Sequence, residues 1–327
     1  MTRTLDTAAS RGSFTIDDLH AIAERNKQWG RWGPEDQLGT LNHVTPERVA
    51  AAAKLVRTGK RFGLAMDFSS DGPQRARPGS KRFNPVHTMF RSGLDVCCDM
   101  SVFRPIRGAD DMIAMPLQCA TQWDALSHIF WYDKMWNRYD AKLVTGNGAQ
   151  KNGIEKTRHQ MAGRGVLLDI ARHLGVPWLP DGYGISVAEL EACAAKQGVE
   201  VRAGDFLIVR TGQMERCLSE AAWGTYAGGD APGVRLDTVD WLRRRDVAAI
   251  ATDTWGVEVR PNEIPAISQP FHWVAIPMVG LTLGEIFYLK DLAADCAADR
   301  VYEFFFCAPP LPIPGAVGSP INPMAIK

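Results

Sequence analysis

The apolar positions of this chain follow two patterns in turn. Up to Gly59 they recur at helical spacing, and beyond it short runs and alternations dominate. Thr15 and Asp18 form a capping pair, with Leu19, Ile22 and Ala23 as one apolar stripe, so a helix is predicted from Thr15. Thr45 followed by Pro46 predicts a second helix, with Val49, Ala52, Ala53 and Val56 as its buried face and Gly59 as its stop. Phe62, Leu64, Met66 and Phe68 alternate like a half-buried strand. Residues 70–86, rich in Gly, Pro, Arg and Lys, predict a long loop. From Arg164 the pattern becomes strand, helix, strand. It comprises the run 165–170, a Ser186–Glu189 capping box opening a helix that ends near Gly198, and the run Phe206–Val209. A helix over Asp237–Arg245 and a strand over Val247–Ala251 complete it. This alternation predicts an α/β fold with a mixed sheet. Residues 1–14 read as a flexible arm, and 15–327 as a single domain whose N-terminal helical extension covers 15–60. Six prolines between Ala308 and Pro323 predict a tail extended along the surface.

Composition narrows the class. With 327 residues, 46% of them hydrophobic, the chain can bury a large core. Lys plus Arg and Asp plus Glu number 37 each, so no basic field favours nucleic acid or an acidic membrane surface. The sequence contains no apolar run of membrane-spanning length, and its start lacks the apolar stretch of a secretory signal. Its seven cysteines are scattered without a CxxC, which argues against a disulfide framework or zinc knuckle and for a reducing, cytoplasmic setting. Neither GxGxxG nor GxxxxGK[ST] occurs. The expected partners are therefore small molecules and further copies of the chain.

The segment Met115–His128 concentrates the candidate chemistry. Gln118, Gln122, Asp124 and His128 fall at spacings that converge either on one helix face or on one strand face. Carboxylate and imidazole bind divalent metals and move protons near neutral pH. Trp123, Phe130, Trp131 and Trp136 crowd the same stretch and predict an apolar pocket for an aromatic or bulky substrate. Cys119 reads as a small buried thiol. Glu258 and Glu263 suit a pocket lining or a surface loop equally.

The same segment resembles the signature H-x-G-T-H-x-D-x-P-x-H of the cyclase family that includes bacterial kynurenine formamidase and isatin hydrolase. Thr121, Asp124 and His128 match it; Gln118 and Gln122 stand at the two ligand-histidine positions, Ala120 at the Gly and Leu126 at the Pro. Further resemblances are residues 163–169 and 204–212, Pro232-Gly233, Asp253-Thr254, His272, Glu285, Gly318-Ser319-Pro320, Trp32-Gly33, 39–42 and Thr45-Pro46, so the likeness spans roughly 30–326.

The resemblance implies a swivelling β/β/α cyclase-like fold and a homo-oligomer, dimer or tetramer. It also implies hydrolysis of a C–N bond in an amide or cyclic amide, kynurenine formamidase-like, or of a lactone. Under it, Asp124, Glu285 and His272 are metal ligands, His128 is the general base, and His272 is a ligand or proton carrier. Gln118 and Gln122 are neutral oxygen donors, weak toward Zn²⁺ and better suited to Mn²⁺ or another hard ion. Three states stay open: a harder metal held with the Gln oxygens, a metal at Asp124–His272–Glu285 alone, or no metal. The alternatives in function are a metal-independent lyase, dehydratase or cyclising enzyme, and a non-catalytic binding relative.

Overall fold

The computed structural model describes residues 5–75, 80–98 and 108–327. Among them, nine strands form one curled sheet. Its centre is four parallel strands, in the order Ala162–Asp169, Phe206–Arg210, Ala249–Thr252 and Thr282–Glu285. Gln122–Asp124 then pairs antiparallel with Thr282–Glu285, and Gly318–Pro320 pairs antiparallel with Gln122–Asp124 at the edge. On the other flank Glu303–Cys307, Met324–Ile326 and Arg61–Gly63 continue antiparallel.

Both faces of the centre are buried, which is why these strands read as unbroken apolar runs. Val166, Leu168, Leu207, Val209, Ile250 and Leu283 point into one core. Leu167, Phe206, Ile208, Ala249 and Ala251 point into the other, with Trp123, Phe304 and Phe306. The period of two assigns each residue its side.

The helices predicted from capping chemistry form. Thr15 and Asp18 close their box on a helix over Ile16–Asn26, and Ser186 and Glu189 on one over Val187–Gln197 that stops at left-handed Gly198. The Thr45-capped helix covers Pro46–Ala53, and its buried residue is Ala52. Ala53 is exposed, and Val56 lies past the helix end at 40% exposure, so the buried face is narrower than the spacing implied.

Three expectations need correction. From Leu5 onward the arm is ordered: Asp6 caps a short helix over Thr7–Arg11, and Ser10 Oγ accepts from Gly184 N at 3.2 Å. Residues 1–4 lie outside the described residues. The alternating run after Phe62 leaves the sheet at Gly63, because the Thr121 hydroxyl accepts from Met66 N at 2.9 Å and draws the chain toward the central segment. The proline-rich tail does not lie along the surface. Ala308, Ala316 and residues 318–321 are buried, and Gly318–Pro320 is the outer strand beside Gln122–Asp124. An edge strand tolerates a proline, which has no N–H to donate. Of the tail, Pro309, residues 311–314 and Asn322 are exposed.

Candidate functional site

The site is built from the short strand Gln122–Asp124. Its alternation sends Trp123 into one core and places Gln122 and Asp124 on the opposite face, where Gln122 lies across from Glu285. Two glycines allow this register. A Cβ on Gly284 would sit 2.4 Å from the Trp123 ring, and one on Gly318 would sit 2.5 Å from Gln118 Nε2. Thr121, which matches the signature, is structural: its hydroxyl donates to Ile286 O and accepts from Met66 N.

His272 arrives from a short helix over Pro270–Val274, entered through Asn262 Oδ1 accepting from Gln269 N and through Pro270 in its first turn. Glu258 fixes this helix and its histidine together. Its carboxylate accepts from Phe271 N (2.9 Å) and His272 N (3.0 Å) and bonds His272 Nδ1 at 2.6 Å. That leaves Nε2 facing inward, 3.0 Å from Glu285 Oε1 and 3.7 Å from Asp124 Oδ2. His128, in the turn after the strand, places Nε2 3.7 Å from Asp124 Oδ1. Gln122 donates Nε2 to Glu285 Oε2 at 2.7 Å.

The electrostatics are lopsided. Asp124, Glu258 and Glu285 are all buried around one buried imidazole. Burial alone would lower the His272 pKa, but its bonds to Glu258 and Glu285 outweigh that and raise it to about 10. Burial pushes the Glu285 carboxyl above its ordinary range, and the Asp124 charge pushes it further. Both Asp124 oxygens and Gln122 Oε1 are buried without a hydrogen-bond partner. Polar atoms left so are costly unless a ligand serves them. Ligand atoms of Asp124, His272 and Glu285 lie within 4.8 Å of one another. Orphaned acceptors around this cluster fit a divalent cation, and the oxygen-rich set suits Mn²⁺ better than Zn²⁺.

Of the aromatic residues assigned to the pocket, two belong elsewhere. Trp123 is core, its Nε1 donating to Ala308 O and its ring packed on Phe287 and Phe306. Trp136 is fully buried against Gly280, with Nε1 bonded to Asp36. Each neighbours the polar residues in sequence, but strand alternation and a chain turn carry both away from the pocket. Phe130 and Trp131 lie nearer the mouth: Phe130 O accepts from Trp273 Nε1, and the Trp131 ring lies 4.7 Å from that of Trp273. A cleft of about 280 Å³ runs past Ile129, Gln269 and Trp273 to His272. Gln118 sits at the other end of the segment, its Nε2 buried and unpartnered. Cys119 is buried, its thiol pushed up to about 11 by burial, in keeping with a packing role.

Glu258 proves to line the site, and Trp273 joins it without having been expected there. The sequence around Glu258 suits pocket and surface loop equally, since nothing in it marks a carboxylate that caps a helix thirteen residues on. Trp273 had one available signal, its adjacency to His272.

A mixed sheet carrying a buried group of carboxylates and imidazoles at one edge defines an α/β protein with an enzyme-type site. The chain belongs to the cyclase family: the family described as "Putative cyclase" matches residues 16–259. The crystal structure of a novel cyclase is 42% identical, covering 92% of this chain and 99% of that one, with a TM-score of 0.83. An isatin hydrolase bound to the product analogue thioisatinate is 14% identical, covers 84% of this chain and 94% of its own, and has a TM-score of 0.60. A "predicted metal-dependent hydrolase" from Bacillus stearothermophilus is 17% identical, covers 82% and 98%, and has a TM-score of 0.53. These last two likenesses are in fold. No curated protein matches the sequence. Among the described residues, no helix is long and apolar enough to cross a membrane.

Proposed function

We propose that this protein hydrolyses the C–N bond of an amide or cyclic amide, with a lactone as the close variant. Asp124, His272 and Glu285 would hold a divalent cation, with Gln122 Oε1 as a further oxygen donor. The observation that carries the reading is Asp124: a buried carboxylate with both oxygens unserved, flanked by His128 and His272 at 3.7 Å each. A bound divalent cation supplies an acidified water and a polarised carbonyl. The chain's own residues do the rest. Glu258 holds the His272 ring through Nδ1, so that Nε2 alone faces the cluster. Gln122 orients Glu285. His128, less buried than His272 and adjoining Asp124, takes the proton from the attacking water and returns it to the leaving nitrogen. The cleft beside Ile129 and Trp273 receives a flat apolar group. The hydrolase relatives support this class of chemistry, and the isatin hydrolase, whose name describes cleavage of a cyclic amide, supports the bond type.

A second reading keeps the residues and omits the cation: an elimination or cyclisation run by His128 and His272. Glutamines at positions 118 and 122, which would hold a substrate oxygen, favour it. Elemental analysis of the purified protein, with turnover of isatin and of N-formylanilines before and after chelation, separates the two. Bound Mn²⁺ and chelator-sensitive turnover are expected; turnover indifferent to chelation overturns the cation.

The reading includes self-association of the chain. Among the described residues, Val86–Arg91 pairs with Asp110–Ala114 alone, and this antiparallel pair exposes Val86, Met89, Phe90, Met112 and Ile113; two strands by themselves are marginal in water. Light scattering is expected to give a dimer or tetramer, and a monomer at all concentrations overturns this part.

A further inference from the structure

Among the described residues, unused donors lie at the Gln118 end of the segment that carries Asp124. Arg82 enters from the stretch before the hairpin and is half-buried. Its Nη1 donates to Gln118 O at 3.1 Å, and its guanidinium lies 5.4 Å from the Trp255 ring centre. Among the described residues no carboxylate pairs with it. Beside that carbonyl, Gln118 Nε2 is buried and has no acceptor, and the absence of a side chain at Gly318 leaves it room. Arg260 also approaches Trp255, at 5.7 Å, but its N–H groups are engaged by Gly228 O and Gly229 O.

Among the described residues, Arg82 thus has most of its five donors unused, lies over the Trp255 ring, and bonds the backbone of a residue whose side chain holds a second buried, unpartnered donor. A guanidinium in that state matches a carboxylate bidentately.

We propose that Arg82 and Gln118 Nε2 form an anion subsite that binds a carboxylate carried by the substrate. Describing the ligand as substrate rests on the hydrolase reading; the binding itself does not. Arg82 draws an anion to the Gln118 end and leaves the Asp124 cluster to a neutral carbonyl. An acidic substrate is therefore held in one orientation, with its carboxylate at Arg82 and its neutral carbonyl toward Asp124 and His128. The substrate class is an amide or cyclic amide bearing an acidic group.

The test is calorimetric titration of the full chain as purified with benzoate and with benzamide, which share a ring and differ in charge. Benzoate is expected to bind roughly ten-fold more tightly. Arg82→Met should abolish that preference while the melting temperature stays put, and Arg82→Lys should retain part of it. Equal affinities, no benzoate binding, or a preference that survives Arg82→Met overturns the proposal. So does a preference lost in Asp124→Asn but kept in Arg82→Met, which places the carboxylate at the cation cluster. Absence of amide turnover would sink the hydrolase reading and leave this binding result standing.

Discussion

Two groups of buried carboxylates lie at the C-terminal ends of the parallel strands, and they are built in opposite ways. At one, Asp169 accepts from Arg172 N (3.0 Å) and Arg210 Nη1 (2.7 Å), and Arg210 is also forked onto Glu215. Next to it, Asp253 accepts from Thr211 N, Thr211 Oγ1 and Gly212 N, all within 2.8 Å. At the other, Asp124 has no hydrogen bond at either oxygen, and Glu285 shares one imidazole with Glu258. Burial is the same in both groups. What differs is satisfaction. The first group spends every acceptor inside the fold and so ties strand ends together; the second keeps acceptors open, which is tolerable only where a ligand uses them.

The sharpest way to break this contrast is to remove one aspartate from each group. Asp169→Ala leaves the buried Arg210 short of a partner and is expected to destabilise the fold by about 3–5 kcal/mol in denaturant unfolding. Asp124→Ala removes a carboxylate that makes no hydrogen bond within the fold, so the unfolding midpoint of the metal-free chain should not fall, while kcat/KM drops by about 10²–10³-fold. Equal destabilisation by both substitutions would end the distinction. Removal of bound metal by chelation should mimic Asp124→Ala in activity, with Mn²⁺ restoring wild type and failing to restore the variant.

A smaller effect tests the boundary between the groups. Glu258 is fully engaged, yet it serves the open cluster through His272. Glu258→Gln keeps the shape and weakens the hold on Nδ1, and is expected to lower metal affinity or activity about 10–100-fold. A structural role alone would show up as lost stability with unchanged metal affinity, measured by competition with a chromophoric chelator.

This contrast also marks what was legible in the sequence. Helices with paired caps, such as Thr15–Asp18 and Ser186–Glu189, and strands buried on both faces announced themselves locally. So did the run Gln118–His128, because polar residues of site type cluster there, and the family resemblance added His272 and Glu285. Geometry decided by partners distant in sequence did not. Trp123 and Trp136 look like pocket residues until the register with Gly284 and the contact with Gly280 turn them into core. Arg82 and Glu258 look like loop residues until the fold brings each to the segment it serves. The proline-rich tail looked like surface because nothing in it states that Gly318–Pro320 pairs with the site strand.

Glu263 falls between the two groups and gives the finest test. Its Oε2 accepts from Leu236 N, while Oε1 is buried without a hydrogen bond and lies 3.8 Å from Arg235 Nε. Burial raises its carboxyl to about 8, with Asp237 adding to the rise and the Leu236 bond and Arg235 opposing it. The folded chain therefore keeps a proton that the unfolded chain releases near 4.5. The stability contributed by protonated Glu263 is full below that value and is lost as the pH rises through about 8. Glu263→Gln keeps an acceptor for Leu236 N and cannot ionise, so it should flatten the pH dependence of the melting temperature across this window and raise it above pH 8. If the wild type shows no decline there, Glu263 is ionised and compensated like Asp169, and half-satisfaction is then no sign of a group held open.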